Sequence, residues 1–415
     1  MMSRLFHAVV CLGLSLSAGC SSFSPLLAAP TPVPVDRAAS TPQTPPAQTA
    51  VPSSEARILR VWLPPQFDPN ADTASAALLK QRLLDFETGH PGLEIDLRIK
   101  AEEGEGNLLE SLALTSAAAP SALPDLVALP RPGLEFAALN GLLHPIDGLS
   151  SAMHDPNWYG YARQLGHVQN IAYGLPFAGN ALALVHRPGI EEVNNWEEIL
   201  ASQRVLAFPA GDPQGVVGLS LYASAGGEIV DSTGLPTLDQ EALTRVLAFV
   251  EDGAAAGVVS PSLANVSSDA QAYQAYRTGN ADLSITWTFN NPLDGSFVPL
   301  PGLGEEAGHS FATGWVWALA GAEAENQQLA VELGEYLVVD DFLGDWTRAA
   351  GYLPTRPSNA VEEGSTVNAI VESAQAIPSN EALSVLGPLM QEALTRVLNG
   401  EQHEVVARSV IEKLK

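Results

Sequence analysis

Residues 58–99 read ILRVWLPPQFDPNADTASAALLKQRLLDFETGHPGLEIDLRI, and their pattern decides the fold. The run 58–63 is short, apolar and rich in β-forming residues, and two prolines follow it, so it predicts a buried strand. Residues 73–86 place apolar side chains at helical spacing, and the glycines and proline just after them end that helix. Residues 93–99 alternate between apolar and polar side chains, which predicts a half-buried strand. A strand, a helix and a strand in this order indicate a parallel βαβ unit.

The same alternation of strands and helices continues along the chain. Strands are predicted at 126–129, 205–208, 282–287 and 315–320, and helices at 107–118, 238–256, 326–338 and 382–398. This pattern is typical of α/β proteins, in which helices cover the faces of a largely parallel sheet. The length of 415 residues predicts two domains, or three.

Composition and charge narrow the class of protein. The chain carries 20 Lys and Arg against 47 Asp and Glu, which gives a net charge of −27. Phosphate backbones repel such a surface, so nucleic acid is not expected as a partner, and the scattered acidic residues indicate a solvated surface. The two cysteines of the sequence are Cys11 and Cys20, so the rest of the chain can contain neither a disulfide framework nor a thiolate site.

The first twenty residues, MMSRLFHAVVCLGLSLSAGC, have the layout of an export signal. An arginine precedes a short apolar run, small residues follow it, and the run is shorter than the roughly 20 residues of a membrane-spanning helix. Its end, LSAGC at 16–20, resembles the lipobox of bacterial lipoproteins. This resemblance implies a signal peptide at 1–19 and a lipid on Cys20 that anchors the chain to a membrane. The alternative is an ordinary secretory signal with a chance cysteine.

Residues 20–56 form the next segment, which begins with the lipidated cysteine and continues as a tether. The segment is rich in Pro, Ala, Thr and Ser and shows no apolar periodicity, so it cannot bury enough surface to fold. Its prolines favour an extended spacer. The expected arrangement is a globular body held just above a membrane.

Eight short motifs between about residue 58 and residue 415 give the sequence its resemblance to a known family. They are FETGHPGLEI at 86–95, PDLV at 124–127, LNGLLHPID at 139–147, YGLPF at 173–177, NWEEIL at 195–200, YRTGNAD at 276–282, LPG at 300–302 and GYLPTR at 351–356. In this order they resemble the extracellular solute-binding proteins of ABC transporters, in sugar-binding family 1, which is maltose-binding-protein-like. The chain departs from the family pattern at Asp282, at His186 with Arg187, and at Leu129, which leaves the ligand open.

The resemblance implies a fold and its division into domains. The implied fold is the two-lobed periplasmic-binding-protein fold of type II, with a mainly parallel sheet flanked by helices in each lobe and a hinge between the lobes. The N-terminal lobe would comprise 57–178 with 293–321, and the C-terminal lobe 179–292 with 322–415. Crossing segments are expected near 177–180, 288–292 and 320–324.

The resemblance also implies a function. A protein of this kind captures a carbohydrate or a related small polar solute in the cleft between its lobes and delivers it to the permease subunits of an ABC importer. The protein would be exported to the bacterial cell envelope and would work there as a membrane-anchored monomer, without a cofactor.

Candidate binding residues follow from the place where ligands bind in such folds, at the C-terminal ends of strands. Sugars present apolar faces, which aromatic rings cover, and hydroxyl groups, which planar amide, carboxylate and guanidinium groups bind. The candidates are Trp62, Gln66, Arg131, Phe177, Asn180, Trp287, Asn290, Trp315 and Tyr352. Trp287 is the strongest of them because it ends a strand directly before a polar loop. Core packing is the alternative for the tryptophans, and a solvated loop charge is the alternative for Arg131.

The sequence contains no motif of a common enzyme class. It has no GxSxG elbow, HExxH helix or Walker loop, and its eight histidines are dispersed without the pairing of metal ligands. Residues 68–79 begin like a calcium loop but lack its glycine and its final glutamate. We therefore predict no catalytic residue, no metal site and no enzymatic activity. Two alternatives stay open: an exported carbohydrate-active hydrolase or lyase, and a ligand-sensing receptor domain on the same fold.

Overall fold

The computed structural model describes residues 56–187, 193, 195–290, 297–304, 306–321, 323–358, 362 and 364–414. The predicted signal peptide, Cys20 and nearly all of the tether lie outside the described residues. The predicted lobe boundary at 292–293 also lies outside the described residues. The same holds for residues 291–292 of the second expected crossing segment and for residue 322 of the third expected crossing segment. Within the described part of the chain, no helix is both long enough and apolar enough to cross a membrane.

Strands and helices alternate through the described chain. The strands are β1 (Arg57–Leu63), β2 (Leu93–Ile99), β3 (Leu126–Pro130), β4 (His167–Val168), β5 (Ile171–Ala172), β6 (Gly174–His186), β7 (Leu206–Ala207), β8 (Leu283–Trp287), β9 (Phe297–Val298), β10 (Ser310–Leu319) and β11 (Ala374–Ala376). The helices are α1 (Ala74–Gly89), α2 (Leu108–Ala118), α3 (Arg131–Leu139), α4 (Gly160–Leu165), α5 (Trp196–Ser202), α6 (Val216–Ser224), α7 (Gln240–Ala256), α8 (Asp269–Arg277), α9 (Ala324–Leu337), α10 (Asp340–Ala350), α11 (Thr366–Ser373), α12 (Asn380–Leu398) and α13 (His403–Leu414). Every strand and helix predicted from periodicity is present, with ends that differ by a few residues.

Local sequence explains where several helices begin and end. Thr73, Asn195 and Asp239 precede α1, α5 and α7, and each side chain accepts a hydrogen bond from a backbone N–H of the first turn. Such caps satisfy donors that have no partner inside the helix. Gly351 ends α10 at φ +75°, a left-handed conformation that favours glycine. The glycine of the GYLPTR motif is therefore a helix stop.

Seven strands form the main path of one sheet, in the order β2-β1-β3-β10-β6-β8-β7, with β11 beside β10 and β9 beside β6. The pairs β1–β2, β1–β3, β7–β8 and β10–β11 are parallel. The pairs β3–β10, β6–β10, β6–β8 and β6–β9 are antiparallel. The α/β fold is confirmed. The sheet is mixed, although a mainly parallel one was expected, because the two long strands β6 and β10 are antiparallel to each other and to β8 and β3, respectively.

Two hydrophobic cores divide the protein into its two lobes. The first core surrounds β1, β3 and most of β10, and the second surrounds β8 with helices α5, α6, α7, α12 and α13. The long strands serve both cores. β6 contributes Phe177 to the first and Leu184 to the second, and β10 contributes Trp317 to the first and Phe311 to the second.

Residues 322–415, which were expected in the C-terminal lobe, divide between the two cores. Helices α9, α10 and α11 place Leu333, Leu343 and Ile370 in the first core, and only α12 and α13 of this region pack on the second. The chain does not cross between lobes at 320–324, since Ala320 belongs to the same core as α9. Periodicity could not reveal this, because an amphipathic helix shows that one face is buried without showing which sheet covers it.

Candidate functional site

A cavity of about 740 Å³ opens between the two cores. It is bounded by residues that follow β1, β2, β3 and β8 and by the middle of the two long strands. The described residues that line it are Gln66, Glu102, Glu103, Pro130, Pro132, Asn180, Gln214, Trp287, Phe289, Thr313, Gly314, Trp315, Tyr352 and Ile377. Loops at strand ends and the strands shared by both lobes meet here, as expected for ligand sites in α/β folds.

Four aromatic side chains line the cavity: Trp287, Phe289, Trp315 and Tyr352. Phe289 is 48 % exposed, and its ring stacks on that of Tyr352 with centroids 4.9 Å apart and planes inclined by 24°. Trp315 and Tyr352 pack on the core beneath them. The ring centroid of Phe67 lies 5.1 Å from that of Trp315 and 5.7 Å from that of Tyr352. Burial raises the pKa of the Tyr352 phenol, which therefore stays a neutral hydroxyl.

Planar polar groups stand beside these rings. Gln66 Nε2 donates a hydrogen bond to Glu102 Oε2 at 2.9 Å, so the segment after β1 is tied to the loop after β2. Glu103 follows on that loop, and Gln214 lies across the cavity just before α6. Carboxylate and amide groups accept and donate hydrogen bonds in a plane, which suits the hydroxyls around a sugar ring.

Asn180 fixes the loop after β8 from the middle of β6. Its Oδ1 accepts hydrogen bonds from Thr288 Oγ1 at 3.0 Å and from the backbone N–H of Phe289 at 3.1 Å. Because the oxygen is occupied, the NH₂ group is the part of this amide that can donate to a ligand. The neighbouring Gly179 cannot carry a side chain, since a Cβ there would stand 2.0 Å from Tyr161 Oη. The centre of β6 is therefore closely fitted to the first lobe.

A hydrogen-bond network supports Trp287 at the end of β8. Its backbone N–H donates to Asp269 Oδ1 at 3.3 Å. Asn290 Nδ2 donates to Asp269 Oδ2 and, at 3.0 Å, to Thr286 Oγ1. Burial raises the pKa of Asp269, and these hydrogen bonds only partly offset that rise. The network orders the segment that presents the indole ring to the cavity.

The comparisons with known proteins bear on this arrangement of cleft and lobes. Residues 69–342 match the family model described as bacterial extracellular solute-binding protein. The chain belongs to this family. No curated protein sequence matches the chain.

Solved structures with a similar fold come from several bacteria. The cyclo/maltodextrin-binding protein complexed with maltotetraose has a TM-score of 0.67 and 18 % identity, over 86 % of this chain and 96 % of that one. The cyclic α-maltosyl-1,6-maltose binding protein of Arthrobacter globiformis has a TM-score of 0.69 and 14 % identity, over 86 % and 98 %. A solute-binding protein of an ABC transporter from Thermotoga lettingae, bound with α-D-tagatose, has a TM-score of 0.59 and 19 % identity, over 86 % and 100 %. At these identities the likeness concerns the fold.

In this bacterial extracellular solute-binding protein, the structure brings five of the nine predicted binding residues together. The five that line the cavity are Gln66, Asn180, Trp287, Trp315 and Tyr352. They come from distant parts of the sequence and meet because β6, β8 and β10 are neighbours in the sheet and β1 ends at the same edge. Trp287 is only partly buried, as a ring that faces a cleft should be.

The other four predicted residues do not line the cavity. Trp62 and Phe177 are each 2 % exposed and pack in the first core, where Phe177 stacks on Trp317 with centroids 4.5 Å apart. Arg131 is largely but not fully buried at the start of α3, where its guanidinium lies 3.6 Å from the carboxylate of Glu135 and desolvation lowers its pKa. The side chain of Asn290 is engaged by Asp269 and Thr286 as described above. Trp62 therefore packs in the core, which is the alternative given for the tryptophans.

Sequence reasoning missed several residues of the site, notably Glu102, Glu103, Gln214 and Phe289. The glutamates occur in the loop AEEGEG at 101–106, directly after the strand-like pattern of β2, so the rule that ligands bind beyond strand ends could have singled them out. Nothing in the sequence around Gln214 marks it, because α6 is brought to the cleft by packing on α12. Across the described parts of the chain, no group of three or more His, Cys, Asp or Glu side chains could hold a metal ion.

Proposed function

We propose that this protein is an extracytoplasmic lipoprotein that captures a carbohydrate, or a related small polar solute, in the cleft and delivers it to an ABC importer. The observation that carries the proposal is the lining of the cavity. Four aromatic rings and the planar groups of Gln66, Glu102, Asn180 and Gln214 surround one space. Rings cover the apolar faces of a sugar while amides and carboxylates bind its hydroxyls, and this combination suits saccharides better than purely apolar ligands.

The similar structures support the choice of ligand class. Two of them are complexes with maltotetraose and α-D-tagatose, and a third is a cyclic α-maltosyl-1,6-maltose binding protein. The volume of about 740 Å³ is within the range of small-molecule sites and would accept an oligosaccharide of a few units. Support for anchoring comes from the sequence, where the lipobox-like end of the signal peptide and a proline-rich tether precede the globular part. Membership in the family supports the transporter permease as partner.

A thermal-shift screen tests the proposed ligand class. The purified protein without its signal peptide is melted with maltose, maltotriose, maltotetraose, monosaccharides and polyols, each at millimolar concentration, with amino acids as the control set. A ligand that binds only the folded state raises the melting temperature according to RT ln(1 + [L]/Kd), about 2.7 kcal/mol at a hundredfold excess over Kd. At least one saccharide should stabilise the protein by several degrees. Stabilisation by amino acids alone would contradict the proposal.

The enzyme and receptor alternatives need different measurements. Incubation with the stabilising saccharide in radiolabelled form should recover it unchanged and bound in a 1:1 ratio, whereas a hydrolase or lyase would release shorter products. A transporter role requires that the protein stimulate ATP hydrolysis by its permease complex in liposomes when the saccharide is present. Product formation would move the protein into the enzyme class.

A further inference from the structure

A second, smaller cavity adjoins the cleft on the first lobe, and we call it the side chamber. Its volume is about 260 Å³, and it shares Glu102, Glu103, Pro130 and Trp315 with the lining of the main cavity. Its other lining residues come from the end of β1, from α2, and from β3 and α3. They are Pro64, Asn107, Leu108, Leu109, Leu129 and Gly133.

Apart from Glu102 and Glu103 at the junction and the indole of Trp315, the walls of the side chamber carry one polar side chain, that of Asn107. Leu108 and Leu129 are buried and Leu109 is half-buried, so the surface they present is hydrocarbon. Asn107 is already engaged as the cap of α2, where its Oδ1 accepts from Glu110 N and its Nδ2 donates to a backbone carbonyl, both at 2.9 Å. A sugar ring deep in this space would leave the hydroxyls that point away from Glu102 and Glu103 without partners, which is unfavourable. The inner wall of the side chamber, away from this junction, is therefore mainly apolar.

The size of the side chamber indicates what it can hold. A dry apolar cavity of about 150 Å³ binds benzene, so about 260 Å³ accommodates a larger apolar group such as a bicyclic aromatic ring. Trp315 lines both spaces and offers an indole ring at their junction. Glu102 and Glu103 stand at the same junction on an exposed loop.

We infer that the side chamber binds an apolar, non-sugar substituent attached to the saccharide in the main cavity. The preferred ligand is then a glycoside with an aromatic or branched aliphatic group at one end. This inference rests on the proposed sugar binding and adds a second recognition element to it. Leu109 becomes a residue that determines specificity, since it lines the side chamber and is absent from the lining of the main cavity.

Matched pairs of glycosides test the inference. Methyl and 4-methylumbelliferyl glycosides of glucose, galactose, xylose and maltose are titrated calorimetrically, together with free 4-methylumbelliferone. For the sugar that binds, the 4-methylumbelliferyl glycoside should have a Kd at least about 10-fold lower than the methyl glycoside, which corresponds to about 1.4 kcal/mol. Leu109→Trp, which fills the side chamber, should abolish this preference and leave the affinity for the methyl glycoside unchanged.

Leu114→Trp is the matched control, because Leu114 lies on the same helix, is 61 % exposed and does not line the side chamber. It should keep the preference. Leu109→Phe serves as a smaller second variant, and melting curves establish that each variant is folded. An equal Kd for the two glycosides, or a preference that survives both Leu109 variants, overturns the inference while sugar binding stands. Binding of 4-methylumbelliferone that depends on Leu109, with no methyl glycoside bound, would support the apolar chamber and refute the saccharide proposal. Failure of every compound to bind would contradict both.

Discussion

Removal of the Phe289 ring should weaken ligand binding far more than it weakens the fold. Phe289 is 48 % exposed, lines the cavity and rests on Tyr352, so about half of its surface is free to meet a ligand. A phenylalanine side chain can bury roughly 200 Å², of which about 100 Å² is then available. At roughly 25 cal/mol per Å², complete coverage by a sugar contributes about 2.5 kcal/mol and half coverage about 1.2 kcal/mol.

These free energies predict that Phe289→Ala raises Kd by roughly 7- to 60-fold, at about 1.4 kcal/mol per decade. The assay is a calorimetric titration with the saccharide that stabilises the wild-type protein most, alongside a urea or thermal unfolding curve of the unliganded variant. Phe136→Ala is the matched control, because Phe136 is 46 % exposed on α3 and does not line the cavity. Since similar fractions of the two rings are buried, both variants should lose similar, modest stability.

Only the Phe289 variant should lose affinity. If Phe289→Ala binds the saccharide within twofold of wild type, the ring does not cover the ligand and the reasoning fails. If both variants lose affinity equally, the loss is a general effect of destabilisation, and Phe289 is not the residue that covers the ligand.

Four further outcomes are expected. Trp287→Ala should lose 10- to 1,000-fold in affinity, at about 1.4 kcal/mol per decade, while the melting temperature of the unliganded protein falls only slightly. Trp196→Ala, in the second core, should mainly lower the melting temperature. If Trp287→Ala instead lowers the melting temperature strongly and keeps its affinity, Trp287 is a core residue. Burial lowers the pKa of His309, so the unfolded chain binds its proton more tightly, and stability should fall as pH decreases below the ordinary histidine pKa of about 6.5. His309→Gln should reduce this acid sensitivity in urea midpoints compared at two pH values, and an unchanged dependence would exclude His309 as its source. Cys20→Ser should move the protein from the membrane pellet to the soluble envelope fraction, and retention in the pellet would refute the lipid anchor. Saturating saccharide should reduce the radius of gyration in small-angle scattering if the lobes close on the ligand, and an unchanged radius would argue against a closing cleft.

Trp315 and Trp317 show how much of the site a sequence pattern can predict. The two side chains are two positions apart on β10, a spacing that places them on one face of the strand. Trp315 lines the cavity, while Trp317 lies deeper in the first core against Phe177. Two residues along a strand correspond to about 6.8 Å, which is enough to move a ring from a cleft into a core. The sequence predicts the face of a side chain and leaves undecided how far along the strand the cleft begins.

Local physics in the sequence determined the strands and helices, and it predicts an export signal. Apolar periodicity, caps and breakers depend on residues within a few positions of one another, so β1, α1 and β2 could be predicted from residues 58–99 alone. The tertiary structure decided which sheet each helix covers, and it assigned α9, α10 and α11 to the first core. It also decided which polar and aromatic side chains share a cavity, because Glu102, Gln214 and Phe289 meet only after β6 and β10 have joined the lobes. Contacts between residues more than a hundred positions apart depend on packing free energy summed over both cores, and no local pattern carries that information.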